Sequence, residues 1–234
     1  MHRLTNPNIE LLEGAVARLE GLVERLVFLG GCATGLLITD NASPPIRYTH
    51  DVDVLTEVAN RADYYRLAEL LREKGFLEDS SEDAPVCRWK CGPILLDVMP
   101  TDQAILGFAN EWYKEALEKA GEHELPSGAR IRMITAPYFL ACKLAAFAGR
   151  GNGDFQLSHD IEDLLAVIDG RPELLAELRA ASAPLKQHLG ERFAELLSDG
   201  QFRQSLPGHM PGDASSQARV PIIVRRLESI SQLT

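Results

Sequence analysis

Four consecutive apolar residues, Leu26-Val27-Phe28-Leu29, run directly into Gly30-Gly31. A run this short, with no polar alternation, has no solvent face and reads as a strand buried on both sides that ends in a tight turn. Cys32 to Thr39 then reads as a short helix. A doubly covered strand needs other strands beside it and helices on its faces, which directs the chain to mixed α/β layers.

The flanking segments agree. Asn6-Pro7 marks a helix start, and Ile9, Leu12, Val16, Leu19, Val23 and Leu26 recur at spacings of three and four, predicting one amphipathic helix over residues 8–25. Asp40 to Pro45 is a loop. Thr49 to Leu55 alternates polar and apolar residues like a half-buried strand. A helix over 61–74 closes at Gly75, and strands over 86–91 and 94–99 form a hairpin around Gly92-Pro93. Residues 102–120 read as helix and 130–134 as a strand.

From Thr135 the texture is helical only, with helices expected over 135–146, 159–169, 172–181, 184–198 and 221–231. Gly149 to Gly153 reads as a flexible loop and Pro207 to Ser216 as a Pro/Gly/Ser-rich mobile stretch. The predicted class is α/β (α+β): a small mixed sheet flanked by helices over residues 1–134, and an all-helical half over 135–234. A chain of 234 residues holds one large domain or two small ones.

Composition narrows the function. With 45% hydrophobic and 25% charged residues, long disorder is excluded. No apolar stretch approaches the ~20 residues of a membrane span, and MHRLTNPNIE has no signal-peptide core. Cys32, Cys87, Cys91 and Cys142 make no disulfide pattern, so a reduced, cytoplasmic protein is expected. Cys87 and Cys91 flank Trp89 on one strand face but lack a second zinc-spaced pair.

The net charge is −10, and it is uneven: residues 1–178 hold 17 basic against 29 acidic side chains, residues 179–234 hold 7 against 5. An extended nucleic-acid surface is not expected of such a chain. A polyanion would be gripped locally, with Arg130, Arg132, Lys143 and Arg150 as candidates.

Asp51 and Asp53, two apart on one strand, project from the same face, while Val52 and Val54 enter the core. Asp97, in Leu95-Leu96-Asp97-Val98-Met99, lies on a strand able to pair alongside. Three carboxylates on one face repel unless a cation sits among them, and Mg²⁺ or Mn²⁺ suits all-oxygen ligands. An Asp-x-Asp alone equally describes a solvated strand face, and Gly-Gly alone a simple turn. Their order is more specific: strand, Gly-Gly, helix, strand with Asp-x-Asp, later strand with Asp. Glycines at a helix start let backbone N–H groups approach a phosphate.

Phe28-Leu29-Gly30-Gly31, Asp51-Val52-Asp53 and Leu96-Asp97-Val98 together resemble the nucleotidyltransferase superfamily related to DNA polymerase beta. Arg47-Tyr48-Thr49-His50-Asp51-Val52-Asp53 is similar to the arginine, Ser/Thr and Asp-x-Asp run of the AbiEii/AbiGii abortive-infection toxins. So is the later pattern of Lys143 on a helix, Arg150, and Asp160-Ile161-Glu162-Asp163.

The resemblance spans about residues 26–165. It implies that Gly30 and Gly31 hold an NTP, that Asp51, Asp53 and Asp97 bind Mg²⁺ or Mn²⁺, and that Arg47 and Thr49 orient phosphates or metal ligands. It also implies that Lys143 contacts the nucleotide phosphates with Asp160 beside it; an ordinary interhelical salt bridge explains that pair equally well. The activity implied is transfer of NMP from an NTP to an acceptor hydroxyl, on a tRNA 3′ end or a protein, by the toxin of a toxin–antitoxin pair with a cognate antitoxin. A small cationic acceptor, as in aminoglycoside-modifying relatives, and a non-catalytic nucleotide-binding or interaction module are the rival readings.

Overall fold

A computed structural model of the chain describes residues 6–233, so the reading of Met1 to Thr5 as free of a signal-peptide core lies outside the described residues. Two compact units emerge: Met1–Gly35 with Arg47–Thr135, and Leu36–Ile46 with Ala136–Thr234. Beside the expected change of texture at 134/135, one earlier segment, residues 36–46, groups with the helices.

The first unit is built on seven strands: β1 (Leu26–Leu29), β2 (Asp51–Thr56), β3 (Leu77–Glu78), β4 (Arg88–Cys91), β5 (Ile94–Pro100), β6 (Gly121–Glu124) and β7 (Arg130–Met133). They form one mixed sheet in the order β3-β4-β5-β2-β1-β7-β6. β1 lies between antiparallel β2 and parallel β7, and all four of its residues are buried, as its unbroken apolar run requires. β2 pairs parallel to β5, which places Asp53 opposite Asp97. The Gly92-Pro93 hairpin pairs Cys91 with Ile94 and so carries Arg88 opposite Asp97 on the other side.

The helices of this unit are α1 (Pro7–Leu19), α2 (Gly30–Leu37, continuing into the second unit), α3 (Arg61–Glu73), α4 (Gln103–Leu106) and α5 (Tyr113–Glu118). Asn6 caps α1, its side chain accepting from the Asn8 N–H. Two expectations are corrected. The helix over 8–25 stops at Leu19, where Glu20 takes φ 48° and ψ −124°, and a 3₁₀ turn over Glu20–Arg25 leads into β1. The helix over 102–120 is divided, because Gly107 adopts a left-handed φ of 86° and returns its N–H to the Gln103 carbonyl at 2.8 Å. Gly121–Glu124, unassigned in sequence, pairs with β7 as an edge strand.

The second unit comprises α6 (Ala136–Arg150), α7 (His159–Gly170), α8 (Leu174–Ala180), α9 (Ala183–Ser198), α10 (Gly200–Ser205), α11 (Ala214–Gln217) and α12 (Val220–Ile230). α6 is its central helix, with ten buried residues and packing against α7, α8 and α9. It runs on through Gly149 to Arg150, where a loop was expected. The Pro207–Ser216 stretch is ordered as well: Leu206–His209 forms a 3₁₀ turn, and Gln217 Nε2 donates to the carbonyls of Pro207, Met210 and Pro211.

Residues 36–46 dock on the end of α7. The Thr39 and Asp40 N–H groups both donate to the Gly170 carbonyl at 2.9 Å. Arg219 donates from Nε to both oxygens of the buried Asp169 (2.9 and 2.7 Å) and from Nη2 to Asp40 at 2.6 Å. A Cβ on Gly170 would lie 2.9 Å from Ile38 Cγ1 and 3.0 Å from Ser43 Oγ, so the segment seats only on a glycine. Among the described residues no helix is long and apolar enough to cross a membrane.

Removing the guanidinium that partners a buried carboxylate leaves an uncompensated charge, which costs about 3–5 kcal/mol. Arg219→Ala is expected to lose stability on that scale in urea unfolding. Arg219→Lys recovers only part of it, having no planar fork.

Candidate active site

The first unit gathers Gly30, Gly31, Arg47, Thr49, Asp51, Asp53 and Asp97 at one end of its central strands. The pleat puts Asp51 and Asp53 on one face of β2, with Val52 and Val54 fully buried on the other. Parallel register with β5 then sets Asp97 beside Asp53 on that face.

The two glycines are demanded by the site's own side chains. Gly30 has φ 72°, and a Cβ there would fall inside the Asp53 carboxylate. A Cβ on Gly31 would lie 2.9 Å from Thr49 Cβ and 3.1 Å from Arg47 Nη2. The space that the two glycines leave is taken up by Asp53, Thr49 and Arg47.

Thr49 is buried and donates its hydroxyl proton to Asp51 Oδ1 at 2.9 Å. Its backbone N–H donates to Asn8 Oδ1 at 3.0 Å, while Asn8 Nδ2 donates to the Arg47 carbonyl at 2.9 Å. Asn8, only 1% exposed on α1, thus clamps the entry to β2 by both ends of its amide. Sequence reasoning passed over it, because a polar residue in a helical pattern gives no sign of being buried until its strand partner is known. The Cys32 thiol adds a hydrogen bond to the Asp51 carbonyl at 3.2 Å.

Arg88 is the second residue missed. Its Nε donates to Asp97 Oδ1 at 2.8 Å, and its Nη2 to Asp97 Oδ2 at 2.7 Å and Asp51 Oδ2 at 2.6 Å. The two-residue hairpin turn was a usable signal, since it fixes Arg88 opposite Asp97. Hydrogen bonding to Asp97 raises the Arg88 pKa further, outweighing its partial burial.

This arrangement does not fit a metal pair shared by Asp51, Asp53 and Asp97. Three of the four carboxylate oxygens of Asp51 and Asp97 accept from Arg88 and the fourth from Thr49. Among the described residues no three His, Cys, Asp or Glu side chains are grouped to hold a metal ion. Cys87 is buried, and burial together with the charges of Asp97 and Asp53 pushes its thiol up to about 12, which suits packing. His50 is exposed and packs edge-on against Tyr48, with ring centroids 4.8 Å apart.

Lys143 and Asp160 lie in the second unit and do meet. Lys143 Nζ donates to Asp160 Oδ1 at 3.1 Å and to Asp163 Oδ2 at 2.7 Å, and Arg150 donates to Asp160 from Nε and Nη2 at 3.0 and 2.9 Å. Both aspartates and Lys143 are buried between α6 and α7. Burial pushes the Asp160 carboxyl up, but hydrogen bonds and charge from Arg150 and Lys143 outweigh it and hold it below its usual range. Of the basic residues read as a local grip, Arg132 donates to the Leu117 carbonyl at 2.8 Å and Arg130 pairs with Glu124 at 3.6 Å, within the first unit.

A wide cleft in the first unit lies away from this chemistry. It is lined by Glu57 and Thr101, which follow the far ends of β2 and β5, with Arg25, Arg66 and Lys114.

No family model matches the chain, and no curated protein matches it. Among solved structures, a crystal structure from H. pylori described as a candidate nucleotidyltransferase is similar at 12% identity and a TM-score of 0.47, over 97% of this chain and 94% of that one.

Asn8→Ala would leave the Arg47 carbonyl and Thr49 N–H without their partner, for a loss of about 1–3 kcal/mol in chemical denaturation. Asp160 gives a pH signature. Its folded-state pKa is depressed, so its contribution is present above the unfolded value and lost as pH falls through the folded one. Between about pH 5 and 3, urea unfolding of Asp160→Asn should therefore fall less steeply with acid than that of the unsubstituted protein.

Proposed function

We propose that the carboxylate face of the first unit carries transfer of NMP from an NTP to an acceptor hydroxyl. The observation that supports this reading most directly is the contact of Asp53, Thr49 and Arg47 with the Gly30–Gly31 turn. It joins, at the start of α2, backbone N–H groups suited to phosphate, a guanidinium countercharge and a carboxylate.

In this reading Gly30, Gly31 and Arg47 receive the triphosphate. Thr49 and Arg88 fix the Asp51 carboxylate, and Asp53, the carboxylate nearest the turn, orients the acceptor hydroxyl and takes its proton as the acceptor oxygen bonds the α-phosphorus and the α–β phosphoanhydride breaks to release pyrophosphate. The acceptor end is a tRNA 3′ end or a protein, and the chain acts as a toxin paired with an antitoxin. For Lys143 and Asp160 the resemblance implies a role toward the nucleotide phosphates, which substitution of Lys143 tests.

The test incubates the full chain with each α-labelled NTP, Mg²⁺ or Mn²⁺, total tRNA and cell lysate. Label on tRNA or on protein is expected, reduced by about a hundredfold or more in Asp53→Ala. Label on a small cationic acceptor such as an aminoglycoside moves the reading to that substrate class. Absence of Asp53-dependent label, with no rise in melting temperature on adding any NTP, overturns it. Lys143→Met in the same assay separates a nucleotide-binding role from a purely structural one, provided its melting temperature is matched to the unsubstituted chain.

A further inference from the structure

We propose that Arg88 is the built-in cation of the carboxylate face. It stands where a divalent ion shared by Asp51 and Asp97 would stand, and Asp97 serves to position Arg88 instead of ligating metal.

The geometry is specific. A divalent ion of the Mg²⁺ type needs carboxylate oxygens at about 2.0–2.1 Å in near-octahedral array. The Asp97 oxygens instead accept a side-on fork from Arg88 Nε and Nη2 at 2.8 and 2.7 Å, the bidentate geometry in which guanidinium and carboxylate match best. Nη2 also reaches Asp51 at 2.6 Å, so one planar cation spans both carboxylates. Asp97 is only 6% exposed, leaving little room for ion and guanidinium together.

The backbone holds the arrangement in place. Arg88 pairs in register with Asp97, and the Val98 N–H donates to the Cys87 carbonyl at 2.9 Å. The next residue, Trp89, is 1% exposed and anchors the strand from the opposite face. An arginine cannot shed its proton in a protein, so the positive charge is permanent. A permanent cation at this point makes Asp97 unattractive to a second one.

The inference stands apart from the transfer reading, because it is tested by Mn²⁺ uptake alone, without nucleotide. Mn²⁺ binding to the full chain is measured by calorimetry and by electron paramagnetic resonance of free Mn²⁺. The proteins compared are the unsubstituted chain, Asp97→Asn, Arg88→Met and the double variant. Asp97→Asn is expected to bind Mn²⁺ within about twofold of the unsubstituted chain, because Asp97 is no ligand there. Arg88→Met is expected to gain a site at least about tenfold tighter than any in the unsubstituted chain, lost again in the double variant, because the bare carboxylates then attract an ion.

A tenfold or greater loss in Asp97→Asn, or no gain in Arg88→Met, overturns the proposal. If Arg88→Met fails to fold in Mn²⁺-free buffer, its rescue by Mn²⁺, read as a rise in melting temperature, supports the proposal. Failure in both buffers leaves the decision to Asp97→Asn, whose outcomes stand as given.

Discussion

Repulsion among three carboxylates on one sheet face is the constraint from which the first unit's local architecture follows. Asp51, Asp53 and Asp97 are brought together by strand pairing, which is set by apolar burial and pays no regard to their charge. Arg88 offsets that repulsion from the neighbouring strand, with its fork on Asp97 and a further bond to Asp51. The hairpin, the buried Trp89 and the Asp-x-Asp strand are thus parts of one electrostatic arrangement.

Around that centre the backbone is held by groups with little freedom. Asn8 bonds the Arg47 carbonyl and the Thr49 N–H, and Thr49 in turn orients Asp51. Gly30 and Gly31 leave the space that Asp53, Thr49 and Arg47 fill. Each of these bonds is worth little alone. Their value is that a buried amide or hydroxyl left unpaired is costly, so the set forms as a whole or not at all.

The second unit uses the same physics in another setting. Lys143 between Asp160 and Asp163 is buried among helices, and the half-buried Arg219 covers the buried Asp169. Such pairs add little net stability compared with apolar packing, but removing one partner is severely destabilising. They fix which helix end meets which neighbour: Arg219 ties α12 to the end of α7 and to the segment around Asp40.

By itself the sequence determined the elements with unambiguous period or punctuation. These are the buried strand ending at Gly30, the Asp-x-Asp strand, the Gly-Pro hairpin, the helix over 159–169 and the helical texture after residue 135. Local patterning carries that information because burial on one or both faces leaves a readable repeat. It misread residues 8–25 and 102–120, where a positive φ at Glu20 and at Gly107 breaks a pattern that composition alone continues. Tertiary structure alone decided what the carboxylates face. Asp97 reads as a metal ligand from its own strand, which reveals only its side of the sheet, whereas its charge partner, Arg88, comes from the strand across the hairpin, and Thr49, which bonds Asp51, is held by Asn8 on a helix about forty residues away in sequence. Charge compensation is a property of neighbours in space, and only the fold makes those residues neighbours.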